Sequence, residues 1–223
     1  MTIPLTEVGA PAVPERGRAP HAAGQAPPAA GEAAPADGRC RWSELEPVAK
    51  RERLLSAATE VFARDGLDAP MSAIADAAGS GVASVYRCFT SKHELYAALV
   101  TRRMDQIALA AEQALARDGD RWSALTEMLT TLVQRQSADD FLGEARMAVA
   151  DHPDVVASTA RATGALDRLL DAARREGRLR ADATTLDLRL LFAATRAARH
   201  VEPEHWPRML ALMIDALDAR RTR

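Results

Sequence analysis

Between Val82 and Lys92 the chain gathers side chains suited to gripping a polyanion. The local sequence is GSGVASVYRCFTSKHEL, from Gly79 to Leu95. Ser84, Tyr86 and Arg87 bring hydrogen-bond donors to one short segment. Val82 and Ala83 are small, so the backbone beside them can approach a partner closely. Lys92 falls where a new helix starts, and the unpaired N–H groups there add to its charge in holding a phosphate. Donors of this kind on a short helix suit phosphate oxygens and base edges in a major groove. This is recognition chemistry. The sequence contains no pattern of an activated nucleophile or of paired carboxylates, so no enzyme activity is expected.

Such residues need a frame to aim them. Helical periodicity begins at Pro47, with Leu54, Ala58, Val61 and Phe62 on one face and Gly66 as the stop. A short helix is expected over 71–78, with Ile74, Ala77 and Ala78 inward. The turn Gly79-Ser80-Gly81 leads to a second short helix over 82–89, with Val85 and Phe89 inward. Two short helices about a glycine turn are the pattern of a helix-turn-helix. Ser91 and Glu94 read as a capping box opening a long helix. Later apolar faces are marked by Trp122, Leu125, Leu129 and Leu132, then by Phe141, Ala145 and Ala148. Val156, Thr163, Leu166 and Leu170 mark the next. Leu186, Leu190, Leu191 and Ala194 follow, and Trp206, Met209, Met213, Ile214 and Leu217 come last. No segment alternates as a strand, so the fold class is all-α.

The stretch RERLLSAATEVFARDGLDAPMSAIADAAGSGVASVYRCFTSKHELYAALV resembles the N-terminal DNA-binding domain of the TetR family of transcriptional regulators. The landmarks are Ala57-Ala58, Phe62, Gly66, Ile74-Ala75, Ala78-Gly79, Val85-Tyr86-Arg87, Phe89 and Ser91-Lys92 with Leu95. The resemblance implies an all-helical homodimer whose three N-terminal helices bind an operator, with a C-terminal domain that senses a small molecule. Transferred by position, it gives Ser84, Tyr86 and Lys92 to phosphates and Val82, Ala83 and Arg87 to the groove. Ser80 stands where a valine is usual and Gly81 where a capping serine is common. Ser80 is therefore expected to cap the recognition helix one residue early. Cys88 occupies a frequent histidine position.

Three domains are expected: a disordered Ala/Pro-rich tail over 1–41, a helix-turn-helix domain over 42–96, and a helical effector and dimerisation domain over 97–223. A basic arm in the tail would use Arg16, Arg18 and Arg41. An effector pocket would be walled by Trp122, Leu125, Met128, Phe141, Met147, Thr195 and Arg196. An arginine selecting an anionic effector would be Arg146, Arg196 or Arg199, and the sequence does not choose among them. The dimer interface is expected at Leu191, Met209, Leu212, Met213 and Ala216, with Leu190 and Ala194 on the same strip.

Composition sets outer limits. The 223 residues carry a net charge of -2, so attraction to nucleic acid must come from a local patch. Hydrophobic residues make up 48% but aromatics only 4%, which favours a Leu/Ala/Val/Met core between helices. Cys40 and Cys88 form no disulfide framework, and His200 and His205 lack the neighbours of a metal site. Gly79-Ser80-Gly81 follows no strand and is no nucleotide loop. No cofactor and no metal are expected. Without an apolar span or a secretory start, a cytoplasmic location is expected. Three functions remain open on the residues: a repressor released by an effector, a helix-turn-helix binder without one, and an all-helical enzyme or scaffold.

Overall fold

The structure is a computed structural model that describes residues 41–135, 141–201 and 204–220. The tail with Arg16, Arg18 and Cys40, together with Pro203 and the His200 side chain, lies outside the described residues. Among the described residues, nine α-helices follow a 3-10 turn at Trp42–Glu44. They are α1 (Pro47–Asp65), α2 (Met71–Ala78), α3 (Val82–Cys88), α4 (Lys92–Ala116), α5 (Arg121–Arg135), α6 (Leu142–Ala148), α7 (Pro153–Arg175), α8 (Thr185–Val201) and α9 (Trp206–Leu217). No strand occurs among the described residues. No helix among them is long and apolar enough to cross a membrane.

Local chemistry explains the helix ends. Pro47 supplies the first turn of α1, and the chain leaves that helix at Gly66, whose N–H bonds Phe62 O. Ser91 Oγ accepts from Glu94 N at 3.1 Å and caps α4. The expected capping box is only half formed, because the Glu94 carboxylate turns instead to His152 Nε2, 3.5 Å away.

Packing forms two cores. The first buries Leu54, Val61 and Phe62 of α1, Ile74 of α2, Val85 of α3 and Leu95, Leu99 and Val100 of α4. It also takes in Phe141, Ala145 and Val149, from α6 and its flanks, and Val155 at the start of α7. The packing therefore does not divide at residue 96. The second core joins the rest of α4 to α5, α7, α8 and α9 through Leu125, Leu129, Leu166, Leu169, Leu188 and Leu191. α4 runs through both. α7 lies along it in parallel register: Arg161–Asp105 and Arg168–Glu112 are each 56 residues apart in sequence.

Several faces differ from their sequence reading by one position. On α7 it is Val155 that is buried, while Val156 and Thr163 are exposed. On α8 the buried line is Leu188, Leu191 and Thr195, while Leu186 and Leu190 are 58% and 57% exposed. Neighbouring residues on a helix stand about 100° apart, so an apolar pair leaves the inward member undecided until a partner helix is fixed.

Candidate nucleic-acid interface

α2 and α3 are too short to hold a helical shape alone, and their core contacts hold them in place. Val85 and Phe89 are buried, which fixes the inner face of α3 against α1 and α2. The turn before it is a helix C-cap: Ser80 N bonds Ala75 O at 2.9 Å and Gly79 N bonds Asp76 O at 3.1 Å. Gly79 has φ 65°, where a side chain would be strained, and Arg53 Nη2 lies 3.1 Å from the place of its missing Cβ.

The outer face of α3 presents Val82, Ala83, Tyr86 and Arg87, all exposed, with Tyr86 half uncovered at 50%. Ser84 is not on that face. It is buried, and its Oγ accepts from Arg87 Nη2 at 2.7 Å. The guanidinium therefore folds back one turn in this state. Lys92 is partly buried at the start of α4, its Nζ 5.9 Å from the Phe62 ring centroid. Ser80 does not cap α3: Gly81 holds the cap position without a side-chain bond, and Ser80 Oγ is buried with no hydrogen-bond partner. Cys88 is a free, partly buried thiol.

The sequence pattern does not single out Arg51, whose guanidinium carbon stands 4.6 Å from the Phe89 ring centroid, or Arg53 at Gly79. Both look like ordinary helix charges until α1 is packed. The resulting surface sets a phenol and a guanidinium outward beside a nearly bare glycine turn, with cations at its edges. It can donate to phosphate oxygens and bring its backbone close to a groove.

The family profile described as bacterial regulatory proteins, tetR family, matches residues 54–99. A second, described as transcriptional regulator SbtR-like, C-terminal domain, matches residues 120–219. The chain belongs to the TetR family. This TetR-family protein is a transcriptional regulator with a DNA-binding domain. It is 36% identical over 104 residues to the HTH-type transcriptional activator FasR of Mycolicibacterium smegmatis, covering 45% of this chain. The match spans only 48% of that relative's length. Among solved structures it is similar to a TetR transcription regulatory protein from Mycobacterium vanbaalenii, with 29% identity, TM-score 0.56, and 75% and 94% of the two chains covered. A TetR transcriptional regulator from Streptomyces coelicolor gives 27% identity and TM-score 0.59, with 75% and 98% covered.

In this TetR-family regulator the seven residues expected to wall an effector pocket do not share one cavity. Trp122, Leu125 and Met128 are buried in the second core, where Trp122 lies 5.5 Å from the Arg178 guanidinium carbon. Phe141 belongs to the first core, 5.6 Å from the Phe62 ring. Met147 is 81% exposed. Thr195 is fully buried, its hydroxyl donating to Leu191 O at 2.9 Å. Arg196 lies against Gly143. Of the expected interface residues, Leu191 is 1% exposed and faces its own protomer. Met209, Leu212 and Ala216 face outward and Met213 is partly covered. Leu190 takes the outward place on α8. A groove of about 360 Å³ lies between α1, α4 and the start of α7, with Arg51, Thr101, Arg102 and His152 on its wall.

Proposed function

We propose that this regulator binds a near-palindromic DNA operator as a homodimer, with α3 and the first turn of α4 in contact with DNA, and that a small molecule held by the C-terminal helices releases it. The observation that carries this reading is the outward face of α3. Tyr86 and Arg87 are exposed there while Val85 and Phe89 fasten the helix from behind. Tyr86 and Lys92 would hold phosphates. Arg87, swung away from Ser84, would reach a base edge, with Val82 and Ala83 at the groove floor. Ser84 would act by positioning Arg87.

Two heads must sit roughly 34–36 Å apart on one duplex. Leu186 and Leu190 on α8 and Met209, Leu212 and Ala216 on α9 form adjacent outward apolar stripes that suit a two-fold interface. The head is also tied to the body. His93 Nε2 donates to Ala148 O of α6 at 3.0 Å, while Tyr96 to Leu67 O and Arg102 to Thr59 Oγ1, each 2.7 Å, fasten α4 to the rest of the head. A shift of α6 would therefore be felt at the start of α4.

The test is a gel shift with DNA from beside its own gene. With about 6 phosphates neutralised, affinity should fall roughly a thousandfold between 50 and 200 mM salt. Tyr86→Ala should weaken binding on every sequence, and Arg87→Ala should relax base preference. Equal losses for Arg87→Ala on operator and random DNA would remove it from base reading. Leu212→Glu should give monomers with folded heads and little operator binding. Bound at its operator, the regulator is expected to repress. FasR is named an activator, so the same experiment includes transcript levels after deletion of the gene: a rise in the neighbouring transcript supports repression, and a fall supports activation.

A further inference from the structure

Two of the chain's five histidines meet where the head joins the body. His93 is the second residue of α4, next to Lys92. His152 is the N-cap of α7. Their ring centroids are 6.3 Å apart. His93 Nε2 lies 3.0 Å from the carbonyl of Ala148, the last residue of α6. A carbonyl only accepts, so Nε2 carries a proton there. His152 Nδ1 accepts from Asp154 N at 3.3 Å, and its Nε2 faces Glu94 Oε1 at 3.5 Å. These partners place the proton of a neutral His152 ring on Nε2.

A further proton on either ring must go to Nδ1. On His152 it would point at the Asp154 N–H, so a charged ring leaves the cap and α7 loses a bond at its first turn. Charging both rings sets two cations side by side, with Lys92 next in the chain. Both stand at helix N-termini, where the dipole opposes positive charge. The His152 side chain is only 16% exposed, and burial opposes its charge as well. Glu94 and Asp154 act the other way, and Asp151 precedes His152 in the turn. Glu94 is 46% exposed, so water weakens its pull across 3.5 Å. The other charged groups of the surrounding groove have partners. Arg102 faces Glu52 at 3.6 Å, Asp105 holds Arg161 at 2.6 Å, and the Arg51 guanidinium lies over the Phe89 ring. The lost cap and the repulsion between the rings therefore exceed what Glu94 returns.

Imidazole is the side chain that changes charge between pH 5 and 8. We propose that His93 and His152 form a proton-sensitive latch between α4 and the α6–α7 turn, closed when both rings are neutral and opened by acid. Opening loosens the first turn of α4 and weakens operator binding through Lys92. The proposal rests on the reading that Lys92 holds DNA, and it adds a mode of regulation that needs no organic effector. His93 and His152 are positioning residues, acting on DNA only through the turn they hold.

The experiment measures the affinity of the full chain for labelled DNA from beside its own gene, from pH 8.0 to pH 5.5 at fixed ionic strength. Two substitutions keep a contact and remove the charge. His152→Asn retains an N-cap acceptor for Asp154 N, and His93→Gln retains a donor for Ala148 O. At pH 8.0 the double variant should bind as the unmodified protein does. At pH 5.5 the unmodified protein should bind about tenfold more weakly than the double variant, and each single variant should show part of that difference. His205→Gln should keep the full acid response. Ring-proton NMR without DNA gives a second measurement. Replacing either histidine should move the titration of the other to higher pH, because a repelling charge is gone. Equal pH dependence in the unmodified protein and the double variant overturns the latch. Tighter binding by the unmodified protein than by the double variant in acid also overturns it, as do ring titrations that ignore each other. Coupled ring titrations with no DNA binding at any pH sustain the proton-sensitive joint and defeat the operator reading of the preceding subsection.

Discussion

The head, α1 to α3 with the first half of α4, and the body, α5 to α9, solve different problems with the same element. In the head the outward donors sit on the seven-residue α3, braced by the eight-residue α2, and each is fixed by its buried side chains: Ile74 and Val85 are fully buried. In the body, apart from the short α6, the helices are longer and their core repeats Leu and Ala, so many similar packings satisfy them. The head leaves little freedom because its outer face must keep one shape. The two regions meet in a ring cluster. Phe62 contacts Tyr96 at 5.5 Å between centroids and Phe141 at 5.6 Å.

That cluster gives the strongest way to break the distinction. Phe62→Ala should cost about 3–5 kcal/mol and lower a single melting transition followed by circular dichroism, because Phe141 ties α6 to the same core. A melt in two separate steps would mean that head and body are independent units.

Next in size, adjacent leucines on α8 should behave oppositely. Leu191→Ala should cost about 3 kcal/mol of protomer stability through a cavity in the second core. Leu190→Ala should leave the melting temperature of the protomer nearly unchanged while weakening the dimer in sedimentation. Equal stability losses would place both residues inside and remove Leu190 from the proposed interface.

The body's far end should be acid-sensitive. Arg180 N bonds Leu217 O and Ala219 N bonds Arg178 O, pinning the end of α9 to the α7–α8 connection. Asp218 sits among these contacts. Burial opposes its ionisation, but hydrogen bonds from Arg220 N and the Arg178 guanidinium outweigh that and hold its carboxyl below the ordinary carboxylate value. The unfolded chain therefore binds the proton more readily. The stabilising contribution is complete above the unfolded value of about 3.9 and is lost as pH falls through the lower folded value. Asp218→Asn should cost about 1.5 kcal/mol at neutral pH and reduce the difference between urea midpoints at pH 5 and pH 3. An unchanged difference would remove Asp218 from the acid response.

Smaller still, Tyr96→Phe removes the bond to Leu67 O and should cost about 1 kcal/mol, read by urea unfolding. Arg161→Gln breaks an exposed pair with Asp105 and should change stability by less than about 0.5 kcal/mol. A larger loss there than at Tyr96 would mean that the exposed α4–α7 ion pair contributes more than the hydrogen bond that holds α4 to the head.

The sequence by itself determined the helix-turn-helix and most helix ends. Pro47, Gly66, Gly79 and Ser91 act on their own backbone within one turn, so their effects are readable without knowing what they pack against. The exposed Tyr86 and Arg87 were legible for the same reason, since Val85 and Phe89 fix the inner side of a helix this short. Only the tertiary structure decided which member of each apolar pair turned inward, as with Leu190 and Leu191 or Val155 and Val156. Residues 100° apart fit the same stripe, and the partner helix makes the choice. It also decided that Phe141 joins the head's core. Phe141 lies far along the chain from Phe62, and their meeting depends on where α6 is carried in space, which no local period encodes.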